Sequence, residues 1–118
     1  MLKAYPSLAT FCGSEVFLLK TLQAGGAGSI TATANVNIVP IRRVYEHWQE
    51  EEASELQKKI NAVRKTFEGY VTIPAMKAII AQYYDSPQWR TVRPPLQAQH
   101  PNDTQLLRDS LTQLGFEM

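Results

Sequence analysis

The sequence predicts an α/β protein in which both strands precede a long helical region. Three observations support this fold class: a short β-favouring stretch at residues 8–12, an apolar helical stretch after it, and a second, alternating stretch at residues 29–33. Two strands joined by a helix form a parallel βαβ unit. One such unit is too small to make a sheet, so we expect the other strands of that sheet to be missing from these 118 residues.

Length, composition and charge exclude several classes of partner. With 118 residues, of which 44% are hydrophobic and 19% charged, the chain has the size and composition of one ordinary domain. Its formal net charge of +1 gives no electrostatic reason to expect binding to nucleic acid or to an anionic membrane. No apolar run approaches the roughly 20 residues that cross a bilayer, and Cys12 has no second cysteine with which to pair. We therefore expect a cytoplasmic protein with no nucleic-acid or membrane partner.

The segment between the two strands predicts a buried helix and a glycine-rich turn. Ser14 can cap the helix, and Glu15 suits the positive end of the helix dipole. Glycines at positions 25, 26 and 28 have the composition of a phosphate-binding loop, but such a loop leads from a strand into a helix. Here the glycines follow the helix and lead into a strand, so they predict a helix C-cap and a sharp turn.

The chemistry of the chain is predicted to lie just after the two strands. Small polar and apolar residues alternate in the second strand, so one set points inward and the other faces the covering helices. Residues 13–15 follow the first strand, residues 33–35 end the second, and residues 34–37 are predicted as a loop. Parallel α/β proteins bind their ligands at the carboxyl ends of their strands, which is where both segments fall.

After Pro40 the sequence predicts only helices and loops. Pro40 suits a first helical turn, the acidic stretch at residues 49–52 marks a helix break, and residues 89–101, with three prolines, predict an extended arm. Asn102 or Asp103 is the expected cap of the last helix. Apolar spacing predicts four buried helix sides: Ile41, Val44, Tyr45 and Trp48; Leu56, Ile60, Val63 and Phe67; Met76, Ile79, Ile80 and Tyr83; and Leu107, Leu111 and Leu114.

Several motifs of the chain together resemble one known family. They are Gly-Ser-Glu after a strand, a Leu-Leu-rich helix, the segment Ala-Gly-Gly-Ala-Gly-Ser-Ile-Thr-Ala-Thr-Ala-Asn-Val, and later Ile-Pro-Ala-Met-Lys and Arg-Pro-Pro-Leu. This succession, over residues 2–116, resembles the dihydrodipicolinate synthase and N-acetylneuraminate lyase family. The resemblance implies the last part of a (β/α)8, or TIM, barrel, whose whole takes about 250 residues. Residues 1–48 would hold strands seven and eight with their helices, and residues 49–118 a C-terminal helical extension.

The same resemblance implies the chemistry of a class I aldolase. In this family a lysine forms a Schiff base with pyruvate or another 2-oxo acid, and a tyrosine transfers protons. That lysine lies on strand six and the tyrosine on strand five, and neither strand is in this sequence. The six lysines of the chain precede the first strand or lie on predicted helices, so we expect no catalytic residue here. Neither a metal site nor a cofactor is expected.

The resemblance implies that five residues of this chain occupy substrate-binding positions of the family. Gly13, Ser14 and Glu15 match the strand-seven positions that bound the substrate beyond its pyruvyl part, although family members often have an acidic residue where Ser14 stands. Ile30 matches the strand-eight residue beside the Schiff base, and Ala32 matches a position that is often Ser in the lyase branch. For Ile30 and Ala32, filling of the barrel interior is the competing explanation.

Three functions remain open from the sequence. The first is the C-terminal fragment of a dihydrodipicolinate synthase-like lyase or aldolase that acts on a small 2-oxo acid, forms a homo-oligomer, and is inactive as this chain alone. The second is a non-enzymatic helical module for oligomerisation or interaction. The third is one half of a split barrel that another chain completes.

Overall fold

The computed structural model describes Ala4 and residues 7–118, which fall into two compact units. The first unit ends at Asn61 and contains both strands, whereas the second, Ala62–Met118, is helical. In this described part of the chain, every helix is too short or too polar to span a membrane.

Two short parallel strands form the sheet of the first unit. β1 comprises Phe11–Cys12 and β2 comprises Gly28–Ser29, with Phe11 opposite Gly28 and Cys12 opposite Ser29. The Ile30 amide extends the pairing by donating to the Cys12 carbonyl at 2.9 Å. The predicted order of strand, helix and parallel strand is therefore confirmed.

Both strands are shorter than the predicted stretches 8–12 and 29–33. Among the described residues each strand has one neighbour, so the ladder covers only the residues that lie opposite each other. The second stretch also turns before it ends, since Thr33 has helical backbone angles (φ −69°, ψ −12°). Strand length thus follows from the number of neighbouring strands and not from β propensity alone.

The segment between the strands begins as predicted with a capped helix. The Ser14 hydroxyl accepts a hydrogen bond from the Val16 amide at 3.4 Å and caps a short 3-10 helix, Glu15–Phe17. This helix continues into α1, Leu18–Gln23. The buried side chains of α1 are Leu18, Leu19 and Leu22.

Two glycines after α1 are required for different reasons. Gly25 has left-handed backbone angles (φ +85°), and its amide donates to the Leu22 carbonyl at 2.9 Å, which confirms the predicted C-cap. At Gly26 a Cβ atom would lie 2.4 Å from Cγ2 and 2.9 Å from the carbonyl oxygen of Thr21. Gly26 therefore allows the turn to approach the backbone of α1.

The predicted loop at residues 34–37 is wrong, because these residues begin α2, Ala34–Glu46. The Thr33 carbonyl accepts from the amides of Val36 at 3.0 Å and Asn37 at 2.8 Å and closes the first turn. Asn37 then leaves the helical conformation (φ −135°, ψ 32°). Pro40 explains this kink, since its ring would clash with the carbonyl of residue 36 in a regular helix. Pro40 falls in the first turn after the kink.

The core of the first unit is formed by α1, α2 and the first turns of α3, Ala53–Glu68. The predicted acidic break at residues 49–52 separates α2 from α3. Tyr45, which was expected on the buried side of α2, is 51% exposed. The buried core residues are Leu18, Leu19, Leu22, Ile41, Val44, Ala53 and Ile60.

In the second unit, α4, Thr72–Tyr83, contacts α5, Pro101–Gln113, and a short 3-10 helix, Pro87–Arg90. Tyr83 and Leu114 were predicted to be buried but are 53% and 46% exposed, because they lie in the last turn of α4 and just after α5. The other predicted core residues of these two helices are buried: Met76, Ile79, Ile80, Leu107 and Leu111.

The cap of α5 is His100, where Asn102 or Asp103 was predicted. Nδ1 of His100 accepts from the Asn102 amide at 3.2 Å. Pro101 then occupies the first helical position, where its missing amide hydrogen costs no hydrogen bond. Gly115, with φ +67°, follows the helix as its predicted stop.

Candidate functional site

The candidate site lies at the carboxyl ends of β1 and β2. Because the two strands are parallel, the segments that leave them, beginning at Gly13 and Ile30, meet at the same edge of the sheet. Gly13 is exposed, and a Cβ atom at this position would have no neighbour within 4 Å. The backbone beside Gly13 is thus open, while the next residue, Ser14, is occupied as a helix cap.

A buried carboxylate joins the two segments. Glu15 is fully buried, and its two carboxylate oxygens accept hydrogen bonds from the hydroxyls of Thr31 and Thr33. The two threonine hydroxyl oxygens lie 3.5 Å from each other. Since a buried carboxylate is tolerated when it is hydrogen-bonded, the threonines compensate for the burial of Glu15. In return, Glu15 fixes the segment after β2 relative to the segment after β1.

The side chain of Gln57 on α3 holds the backbone that carries Glu15. Its Oε1 accepts from the Leu19 amide at 2.9 Å, and its Nε2 donates to the Glu15 carbonyl at 2.9 Å. Nε2 also donates to Oδ1 of Asn61 at 2.7 Å. Gln57 is 8% exposed, so these bonds stand in place of water. One of them satisfies an amide in the first turn of α1, which has no partner within the helix.

Thr31 and Gln57 were not identified as site residues from the sequence, and Thr33 was included only by position, as part of residues 33–35 at the carboxyl end of the second predicted strand. For Gln57 a signal existed: it lies four residues after Ala53 and three before Ile60, so it is a polar residue on the buried side of α3. The two threonines gave no comparable signal, because small polar residues are common in half-buried strands.

The two predicted strand-eight residues lie outside this network. Ile30 is 73% exposed, and Ala32 is exposed as well. The structure thus brings Glu15 together with Thr31 and Thr33, while Ile30 and Ala32 present their side chains to solvent at the same sheet edge. Their assignment as substrate-binding residues stays a prediction.

Asn37 is a further buried polar residue near the start of α2. It is 2% exposed, and among the described residues its Nδ2 is a buried side-chain donor without a hydrogen-bond partner. Such a donor costs about 1–3 kcal/mol, so it usually has a structural or functional reason. Asn37 follows Thr33 by one helical turn and was predicted only as part of a loop.

The described lysines do not have the environment of a Schiff-base lysine. That residue must be unprotonated, which burial or a neighbouring cation favours. Lys77 is half-buried and donates to the Thr91 carbonyl, and Lys3 lies outside the described residues. The exposed lysines are Lys20, Lys58, Lys59 and Lys65.

One group of metal-binding residue types lies close together on the surface. The ligand atoms of His47, Glu50 and Glu52 are within 4.8 Å of one another, and Nδ1 of His47 is 2.9 Å from Oε1 of Glu50. Both glutamates are exposed, and the hydrogen bond to the histidine accounts for the position of Glu50. We assign no metal centre to this group.

Comparison with known sequences identifies relatives of the chain. The dihydrodipicolinate synthetase family matches residues 1–114. An uncharacterised DapA-like lyase of Chloroflexus aurantiacus is 30% identical over 89 residues, which amount to 75% of this chain and 30% of the relative.

Solved structures show the same fold. Dihydrodipicolinate synthase from Agrobacterium tumefaciens is 24% identical with a TM-score of 0.79, and the match covers 96% of this chain and 37% of the synthase. N-acetylneuraminate lyase from Fusobacterium nucleatum (19% identity, TM-score 0.82) is covered over 39% of its length, also by 96% of this chain. The E. coli K12 prophage protein YagE, solved with pyruvate, is 20% identical with a TM-score of 0.83. The match covers 98% of this chain and 40% of YagE.

The two named enzymes among these neighbours are TIM-barrel proteins, and the chain corresponds to an α/β part of such a barrel with two parallel strands and mostly helices. It spans well under half of the length of each of them. The family match extends over nearly the whole sequence and includes both strands of the candidate site. The chain therefore belongs to the dihydrodipicolinate synthetase family.

Proposed function

We propose that the chain is part of a lyase or aldolase that acts on pyruvate or another 2-oxo acid through a Schiff base. The observation that carries this proposal is the family match over residues 1–114. The substrate class is supported by two relatives that were solved with pyruvate, YagE and the F. nucleatum lyase. Capture of the ketone by an amine creates an electron sink, so the adjacent carbon can be deprotonated or its bond cleaved.

In this proposal the chain shapes the substrate site and barrel strands outside it supply the covalent chemistry. Gly13, Ile30 and Ala32 are exposed at the carboxyl ends of the strands, where they can contact a substrate. Ser14 and Glu15 bound the same site, with Glu15 acting through the position of the segment after β2. The lysine and the tyrosine come from strands six and five. No metal or organic cofactor takes part, and this chain alone is inactive.

We also propose a cytoplasmic homo-oligomer. The free, half-buried Cys12 suits a reducing compartment. Exposed apolar side chains of the second unit, among them Tyr84 at 62% and Leu106 at 60%, offer surface for contacts between copies. The same observation favours the second candidate function, a non-enzymatic oligomerisation module. Both candidates predict an oligomeric chain in sedimentation, so they are separated by the trapping experiment below: an oligomeric chain whose folded barrel fusion traps no pyruvate favours the module.

The proposal can be tested by supplying the missing strands. The chain is fused after the first six strands of the F. nucleatum lyase and treated with pyruvate and borohydride. We expect a reduced pyruvate adduct on the lysine of the added segment, measured by intact mass. In Ile30→Asp, the new carboxylate should lie beside the lysine amine and favour the protonated amine, which does not attack the ketone. If the pKa of the lysine rises by one unit, trapping should fall about tenfold.

The matched control for that variant is Val71→Asp, a position 61% exposed in the second unit, where trapping should not change. A folded fusion that traps no pyruvate would contradict the proposed chemistry. Equal trapping by the Ile30 and Val71 variants would contradict the placement of Ile30 beside the Schiff base.

A further inference from the structure

A small cleft lies between α4 and α5 in the second unit, and its volume is about 150 Å³. Buried Ile79 and Leu111 form its apolar floor together with the ring of Phe116. That ring packs edge to face against Phe67, with the ring centroids 6.3 Å apart, so one wall is fixed by the core of the unit. The exposed rim consists of Gln82, Tyr83, Arg108 and Thr112.

Arg108 supplies a positive charge at this rim. Two other arginines each pair with a glutamate four residues later, Arg42 with Glu46 and Arg64 with Glu68, both at 2.7 Å. Four residues after Arg108 the chain has Thr112, whose hydroxyl donates to the Arg108 carbonyl at 2.9 Å. Within the described part of the chain, no acidic side chain forms an ion pair with the Arg108 guanidinium.

We propose that this cleft binds a small monocarboxylic acid with a compact apolar group about the size of a benzene ring. The volume sets the size, because a cavity of about 150 Å³ is large enough for benzene. The apolar floor accepts the ring or branched chain. The charge comes from Arg108, since a guanidinium offers a carboxylate two parallel hydrogen bonds. This site lies entirely in the second unit and does not depend on the function proposed above.

The test is a titration of the whole chain with benzoate, followed by the amide signals in two-dimensional NMR. We expect benzoate to shift the signals of Leu111, Thr112 and Phe116. Benzamide has the same ring without the charge and should bind about tenfold more weakly, as expected when a charge-assisted pair is replaced by a neutral one. In Arg108→Gln the affinity for benzoate should fall by a similar factor, and Arg108→Lys should recover part of it.

Arg93→Gln is the matched control, since Arg93 is an exposed arginine of the same unit outside the cleft. It should bind benzoate as the unchanged chain does. Equal binding of benzoate and benzamide would overturn the assignment of a carboxylate ligand. Equal loss in the Arg93 and Arg108 variants, or shifts confined to residues away from the cleft, would overturn the site itself.

Discussion

Replacing Thr33 by valine tests whether the buried Glu15 network holds the two strand ends together. Valine has nearly the shape of threonine but lacks the hydroxyl that donates to Glu15. Thr33 is fully buried, so water does not take the place of the lost donor. The Thr31 hydroxyl still donates to the other carboxylate oxygen. The variant therefore weakens the network without removing it.

The expected cost follows from the kind of hydrogen bond that is lost. A hydrogen bond to a charged group contributes about 1.5–3 kcal/mol. Because Glu15 retains the Thr31 donor, we expect the free energy of unfolding of Thr33→Val to fall by about 2 kcal/mol. For a chain of 118 residues, 1 kcal/mol corresponds to about 4 °C in the midpoint of thermal unfolding, so the midpoint should fall by about 8 °C.

Urea unfolding followed by circular dichroism measures this change. The matched control is Thr66→Val on α3, where the threonine hydroxyl donates to the Ala62 carbonyl at 3.0 Å, and its cost should stay within about 0.5 kcal/mol. A double-mutant cycle with Glu15→Gln should give a coupling energy of about 1 kcal/mol between the two sites. If Thr33→Val unfolds with the same free energy as the control, the network does not hold the site.

Three further predictions concern neighbouring features. Gln57→Leu should lower the unfolding free energy by about 2–4 kcal/mol in a urea titration, because two buried backbone groups lose their partner, and a change below 0.5 kcal/mol would contradict this role. Gly26→Ala should lower the free energy of unfolding by about 1–3 kcal/mol more than Gly13→Ala does, because a methyl group at position 26 clashes with α1 whereas one at position 13 meets open space. Equal losses in the two variants would refute this role of Gly26. The pKa of Glu55 lies below its usual value because Lys58 donates to its carboxylate and adds a nearby positive charge. The Glu55–Lys58 pair therefore stabilises the folded state slightly at pH values above the unfolded-state pKa of Glu55, and this stabilisation is lost as the pH falls through the folded-state pKa. An NMR titration should show that Lys58→Gln raises the pKa of Glu55.

Local chemistry made the helical parts of the fold predictable. Ser14 before an apolar stretch gave the helix start, and the glycines after α1 gave its end, because capping depends on residues that are close in sequence. The strand ends were not predictable, since ladder length depends on neighbouring strands. The start of α2 was also missed. Pro40 predicted a helix start at the first turn after the kink, and nothing in the sequence indicated the short helical turn before it.

For the candidate site, the meeting of the two strand ends was predictable and the hydrogen-bond network between them was not. Residues 13–15 follow the first predicted strand, which is where parallel α/β proteins bind ligands. The two threonines that donate to Glu15 are 16 and 18 residues away from it, and Gln57, whose side chain donates to the Glu15 carbonyl, is 42 residues away. Such pairs form only through tertiary packing. A buried polar position on the apolar side of α3 was the one available signal for Gln57.

Reductive trapping of the isolated chain with pyruvate tests most directly whether it shapes a site whose Schiff-base lysine lies elsewhere. The chain is incubated with pyruvate and borohydride, and its intact mass is then measured. We predict an unchanged mass, because the described lysines are exposed or, at Lys77, bonded to a backbone carbonyl. A reduced pyruvate adduct on any lysine of the chain would contradict the account.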